Sequence, residues 1–263
     1  MRTELRGKPV LAADGGATPD GPTLLLVHGA GNDRTVWQLQ TRSLAHHGVR
    51  VLAVDLPGHG GSEGPPLSSV ADIAGWLAEF IEALDIGPIA VAGHSMGALA
   101  ALELAATRPD LVSDLVLVGA AASMPVHPAL LEAAAANDPL AAELICGWAH
   151  ASSSKIGGHD APGMWMIGEG RSLIHLCENG VLSTDLEACN AHQGAVEAAS
   201  KVTCPTLLIL GSEDKMTPLK GAQPLIEALE HAEIAILEGS GHTLMIERSH
   251  DVRRLLQHRM LGA

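Results

Sequence analysis

Aromatic side chains are nearly absent from this 263-residue chain: there is one phenylalanine, there are four tryptophans, and there is no tyrosine. An aromatic-lined pocket is therefore excluded, and any pocket wall must be largely aliphatic. Cations are also scarce. Sixteen Lys and Arg stand against thirty Asp and Glu, a formal net charge of -14, which repels polyanions at long range and argues against nucleic acid as a partner. Cysteine is too sparse for a disulfide scaffold, and Cys146, Cys177, Cys189 and Cys204 show neither Cys-x-x-Cys nor zinc-finger spacing. They read as reduced, mostly buried thiols. No apolar run has the length of a signal segment or a bilayer span, so the expectation is a soluble, cytoplasmic protein with no membrane partner.

Histidine is the exception, with fourteen residues. No His-Glu-x-x-His pattern occurs, and His46 and His47 are adjacent, which puts them on different parts of a helix surface. His150, His159, His175 and His192 show no recognisable ligand spacing. No metal is expected.

An apolar content of 47% at this length allows one large core. Continuous apolar runs at Thr23 to Val27, Val49 to Val54, Ile89 to Ala92, Leu115 to Val118, Thr206 to Leu210 and Ile234 to Leu237 read as strands buried on both faces. Helical patterns separate most of them. After Ser68 and Ser69, apolar residues at Val70, Ile73, Leu77, Phe80, Ile81 and Leu84 form a helical stripe. Strands alternating with helices predict a parallel sheet covered on both faces, with the active site at the carboxyl ends of the strands. Thr3 to Arg6 and Val10 to Asp14 read as an antiparallel hairpin turning at Gly7-Lys8-Pro9.

Residues 122–199 break this rhythm. They are rich in alanine, lack a strand run, and carry a glycine-rich stretch from Gly157 to Gly170. Leu130 to Ala136, Leu140 to Trp148 and Leu182 to Ala191 have helix-forming composition. The predicted organisation is a core in two parts, 1–121 and 200–263, with a helical cap, 122–199, inserted between strands.

Gly93-His94-Ser95-Met96-Gly97 directly follows a strand run and opens a helical stretch, Ala98 to Thr107. In that setting Gly-x-Ser-x-Gly makes a sharp strand-to-helix turn that exposes the serine, and small neighbours let the crossing elements approach. A serine hydroxyl is a poor nucleophile without an adjacent base, and the base needs an orienting acid. Both stand downstream beyond strand runs: Gly211-Ser212-Glu213-Asp214 supplies the acid, and Gly239-Ser240-Gly241-His242 the base. Glu213 competes with Asp214 for the acid role. The backbone amides of Ala30, in His28-Gly29-Ala30-Gly31, and of Met96 are candidate oxyanion donors. His28 reads as a loop holder, His94 as packing under the turn, and Asp55 as structural.

These motifs resemble the α/β-hydrolase superfamily, specifically its small cap-bearing serine esterases and lactonases. The resemblance rests on His28-Gly29-Ala30-Gly31 with Trp37, Asp55-Leu56-Pro57-Gly58-His59-Gly60, the Ser95 turn, Gly211 with Asp214 and Pro218, and Gly241-His242. It covers about 23–121 and 203–258, not the cap. It implies an α/β-hydrolase fold, an acyl-enzyme mechanism through Ser95, His242 and Asp214, and no cofactor. Haloalkane dehalogenases and epoxide hydrolases carry Asp where Ser95 stands, and the latter also use cap tyrosines, which this chain lacks. Trp148, Met164, Trp165 and Met166 are the bulky cap residues expected at the pocket. Arg171 would clamp a substrate carboxylate if buried, and would be a surface cation if not.

The expected substrate is a small to medium, aliphatic carboxylic ester or lactone, and a homo-oligomer is compatible with the composition. Two alternatives stand beside this: carbon-carbon bond hydrolysis or perhydrolysis with the same triad, and a ligand-binding protein that retains the fold without catalysis. The intact Ser, Asp and His set weighs against the last.

Overall fold

The structure, a computed structural model, describes residues 1–16, 21–161 and 163–262. Its strands are β1 (Arg2–Leu5), β2 (Lys8–Gly15), β3 (Thr23–Val27), β4 (Arg50–Val54), β5 (Ile89–His94), β6 (Val112–Val118), β7 (Thr206–Gly211) and β8 (Ala232–Leu237). They form one sheet in the order β1-β2-β4-β3-β5-β6-β7-β8. Pairing from β4 through β8 is parallel, and the hairpin β1-β2 joins antiparallel at one edge. This is the α/β-hydrolase fold.

Strand alternation divides the core into two layers. Leu25 and Val27 face the layer that contains the helices Val70–Ala83 and Met96–Thr107. Leu24 and Leu26 face the layer closed by the helices Gln38–His46 and Ser249–Leu261. Aliphatic packing dominates both. Trp76 and Phe80, one turn apart on the helix Val70–Ala83, stack at 5.6 Å; Ser69 caps that helix by accepting from the Asp72 N–H.

Two sequence readings change. The hairpin turns at Arg6 and Gly7, both at positive φ (52° and 74°), as a two-residue hairpin turn requires; Pro9 lies within β2 opposite Glu4. β8 is not buried on both faces. Ala235 and Leu237 pack into the second layer, but Ile234 and Ile236 point the other way from the outermost strand and are 45% and 48% exposed.

Between β6 and β7 the described residues form helices Pro128–Ala135, Leu140–Ala149, Met166–Leu176, Val181–Ala191 and Ala195–Ala199, with no strand. The helix Met166–Leu176 grows out of the glycine-rich stretch that has no helical pattern in the sequence. Its glycines serve close packing: a Cβ at Gly168 would lie 2.2 Å from the Trp165 ring, and one at Gly170 would lie 3.0 Å from Cys146 Sγ. The short helix Ala195–Ala199 packs in the first core layer. No helix among the described residues is long and apolar enough to cross a membrane.

Leu25 sits in β3 between Leu52 of β4 and Val91 of β5 and is fully buried. Leu25→Ala should lower unfolding free energy by about 2–5 kcal/mol, measured by urea denaturation; a smaller loss would mean that this layer collapses around the cavity.

Candidate active site

The carboxyl edge of the sheet gathers the motif-bearing loops, and close backbone approach sets the geometry. A Cβ at Gly93 would lie 2.0 Å from Gly97 O, and one at Gly97 would lie 2.5 Å from His28 O and 2.6 Å from Val27 O. Only glycine lets β5 turn into its helix while that helix rests on the end of β3. Between these glycines Ser95 adopts φ 54° and ψ -117°, a conformation L-residues rarely take, and one that persists only where surroundings over-determine it. Its N–H donates to Val118 O at 2.9 Å.

His242 is placed by the loop after β8. Its N–H donates to Ala149 O at 2.6 Å, so the helix Leu140–Ala149 contributes to its position. The buried carboxylate of Glu247 accepts from the N–H groups of Gly241 and Ala151 and from the Thr243 hydroxyl, each at 3.0 Å.

The His242 Nδ1 lies 2.8 Å from Asp214 Oδ2. The other Asp214 oxygen accepts from the Met216 and Thr217 N–H groups at 2.9 and 2.8 Å, and the Thr217 hydroxyl donates to Oδ2 at 2.7 Å. Burial opposes the charge on Asp214, but the adjacent His242 and the Thr217 bonds outweigh it and hold the carboxyl below its ordinary range. An ionised Asp214 is acceptor-only, so Nδ1 carries the proton of neutral His242 and Nε2 is left to accept one. Glu213 is exposed. Thr217 was missed by sequence reasoning; the Asp-x-x-Thr spacing, which favours local side-chain to backbone bonding, is the signal that would have found it.

His94 lies under this assembly, as read from the sequence. It is buried, its Nε2 donates to His242 O at 2.9 Å, and its ring is 4.8 Å from the His242 ring. Burial, aided by the neighbouring imidazole, pushes it down to about 3. His28 is likewise fixed: Nδ1 donates to Gly29 O at 2.9 Å and Nε2 accepts from the Leu56 N–H at 3.1 Å, which requires the neutral ring. Asp55 accepts from the Arg34 and Gly61 N–H groups at 2.8 Å each and from the Arg34 guanidinium.

Both expected oxyanion donors border the serine. A Cβ at Gly29 would lie 3.1 Å from Ser95 Cβ, which brings the Ala30 loop against it. Met96 is the first residue of its helix, so its N–H lacks an intrahelical acceptor.

A cavity of about 400 Å³ extends from Ser95, His94 and His242 under the helical segment, within the usual size range of small-molecule sites. Leu130, Ile145, Leu173 and Leu186 give it an aliphatic wall, and Trp148 and Met166 line it as expected. Met164, Trp165 and Arg171 are off this wall. Met164 packs into the second core layer, Trp165 is 66% exposed beside Gly168, and Arg171 pairs with Glu143 at the surface. Arg171 sits on another face of the helix that carries Met166, whereas Met164 and Trp165 precede that helix, which begins at Met166. Cys146 and Cys189 also line the cavity, but burial pushes their thiols up to about 11 and about 12, where little thiolate forms. Among the described residues no cluster of His, Cys, Asp or Glu is arranged to hold a metal ion.

The family model described as "Alpha/beta hydrolase family" matches residues 24–255. The chain is 31% identical to the pimeloyl-[acyl-carrier protein] methyl ester esterase of Aromatoleum aromaticum over 92% of its own length and 99% of that protein. It is 23% identical to the (E)-2-((N-methylformamido)methylene)succinate hydrolase of Acinetobacter baylyi, over 90% of each chain. The crystal structure of the enol-lactonase from Burkholderia xenovorans superposes with a TM-score of 0.89 at 22% identity, covering all of both chains.

The low value of His94 carries a stability consequence. An unfolded chain binds a proton at this position below about 6.5, whereas the folded protein does so only near 3. Between those values the unfolded state holds more protons, so stability is full above this window and falls as the pH is lowered through it. Melting temperatures between pH 8 and pH 4.5 should drop less steeply for His94→Gln, whose amide can still donate to His242 O; parallel curves would contradict this.

Proposed function

Because this chain belongs to the α/β-hydrolase family and is a hydrolase, we propose that it cleaves a small to medium aliphatic carboxylic ester or lactone through Ser95, His242 and Asp214. The observation that carries this reading is a positive-φ serine at a strand-to-helix turn, lining the same aliphatic cavity as a histidine bonded to a buried carboxylate. The carboxylate clamp considered for Arg171 has no support, since its guanidinium is engaged by Glu143.

In the proposed reaction Ser95 Oγ attacks the carbonyl carbon as its proton passes to His242 Nε2. The carbonyl electron pair moves onto oxygen, which faces the Ala30 and Met96 N–H groups; preorganised donors of this kind stabilise the developing charge without reorganising. Collapse of the tetrahedral intermediate breaks the bond to the alcohol oxygen, which takes the proton from His242. Water then attacks the acyl-enzyme with His242 as base, releasing the acid and restoring Ser95. Asp214 stays ionised throughout, orienting the imidazole and stabilising its cation.

A fluorophosphonate probe should label the native protein and leave Ser95→Ala unlabelled, with hydrolysis of short p-nitrophenyl esters reduced by about four to six orders of magnitude. Equal labelling of both would remove the assignment. Probe reaction without hydrolysis of esters of any acyl length would shift the reading to carbon-carbon cleavage. Ester hydrolysis should also be abolished in His242→Gln, whose amide cannot accept the serine proton; retained hydrolysis would contradict its role as base.

A further inference from the structure

One carboxylate from the helical segment reaches into the oxyanion loop. Asp185, on the helix Val181–Ala191, is 1% exposed, and its Oδ2 accepts from the Gly31 N–H at 2.9 Å and from His59 Nε2 at 2.8 Å. The second ring nitrogen of His59, Nδ1, faces Pro57 O at 3.0 Å. Both partners are acceptors, so both nitrogens must carry protons and His59 is an imidazolium. Desolvation opposes that charge, but the bond to Asp185 and its charge prevail, and His59 is raised above the ordinary histidine value. Asp55 adds to the attraction, although its own charge is shared with Arg34. The remaining titratable neighbour, His28, packs its ring 4.8 Å from His59 and is neutral by its bonds to Gly29 and Leu56.

The consequence lies in the peptide planes. The bond from His28 to Gly29 O fixes the peptide whose opposite end is the Ala30 N–H, since carbonyl and amide of one trans peptide point in opposite directions. The bond from Asp185 fixes the next peptide through the Gly31 N–H. Cys177 Sγ, also in the helical segment, donates to Gly31 O at 3.1 Å and fixes the one after. Gly31 has φ 64°, and a Cβ there would lie 2.7 Å from Leu182 Cδ1. The loop is therefore pinned from the helical segment.

We infer that Asp185 is a positioning residue for the proposed reaction: paired with the imidazolium of His59, it holds the Gly31 peptide and the neighbouring His28 ring so that the Ala30 N–H is aimed at the oxyanion. This rests on the reading of Ser95 and Ala30 given above. The helical segment then does more than cover the cavity, because it completes the catalytic geometry of the core. The arrangement persists while His59 is protonated and is lost as pH rises through its raised value, since neutral His59 would leave one of its two acceptors without a proton.

The test is the kinetics of phosphonylation by a fluorophosphonate probe, which also places an oxygen in the oxyanion site and needs no known substrate. Native protein, Asp185→Ala and Asp185→Asn are compared for kinact and KI. In Asp185→Ala, kinact should fall by about tenfold to a hundredfold with KI little changed. A purely structural role would lower the melting temperature and leave kinact intact below it, and that result, or a loss confined to KI, overturns the inference. In native protein kinact should also fall on the alkaline side of the ordinary histidine range. Asp185→Asn should move that fall to lower pH, because an oxygen in the place of Oδ2 still accepts from Gly31 while the charge that holds the second proton on His59 is gone. If Asp185→Ala does not fold, this profile decides, and an alkaline fall identical to that of native protein overturns the proposal. Failure of native protein to react at Ser95 would instead remove the reading of the whole site, which Ser95→Ala distinguishes.

Discussion

The close approach of three backbone segments around Ser95 is the constraint on which the rest of the site depends. Gly97 rests on the carbonyls of Val27 and His28, Gly93 touches Gly97, and Gly29 lies against Ser95. A methyl group at the first two positions would collide with backbone, which cannot move aside without opening the central strands. Because that contact holds, Ser95 is kept at positive φ, its side chain stands at the cavity, and the first N–H of the following helix is left without an intrahelical acceptor. The surrounding core over-determines the conformation: β5 is buried along its whole length and β3 from Leu24 to Val27.

Around this contact the buried polar groups have their protonation states set by complementary partners. Asp214 accepts three bonds from Met216 and Thr217 in addition to that of His242, and it is held as a carboxylate. His94 and His28 are held neutral by burial; His28 also has one donor and one acceptor bond, which suit a single tautomer, and His94 donates from Nε2 to His242 O. His59 is the one histidine beside the site forced into the charged form, by two acceptors. Four buried imidazoles thus serve different ends, because each protonation state follows from its neighbours.

The scarcity of aromatic residues has a visible structural result. The two stacked rings of Trp76 and Phe80 and the buried Trp37 lie in the core, and Trp148 alone among the tryptophans lines the cavity. The remaining wall is mainly aliphatic and sulfur-bearing, with Asn32, His127, His150, Glu169 and Lys215 among its polar members.

Strand positions, the α/β layering and the convergence of Ser95, Asp214 and His242 were legible in the sequence, because each depends on local signals: continuous apolar runs, glycine spacing and the order of strand-end motifs. Thr23 to Val27 needed no correction, and the other runs shifted only at their ends. What depends on distant contacts was not legible. Whether Ile234 and Ile236 are covered is decided by the place of β8 at the sheet edge. Which of Trp148, Met164, Trp165, Met166 and Arg171 meet the cavity is decided by how the helices Leu140–Ala149 and Met166–Leu176, and the turn before the second, pack on the core. Above all, Gly31 and Asp185 stand 154 positions apart, a separation that conceals a hydrogen bond joining the helical segment to the loop after β3. Local pattern records the turn and the strand, whereas pairing across the fold depends on packing of the whole chain, and only the tertiary structure contains it.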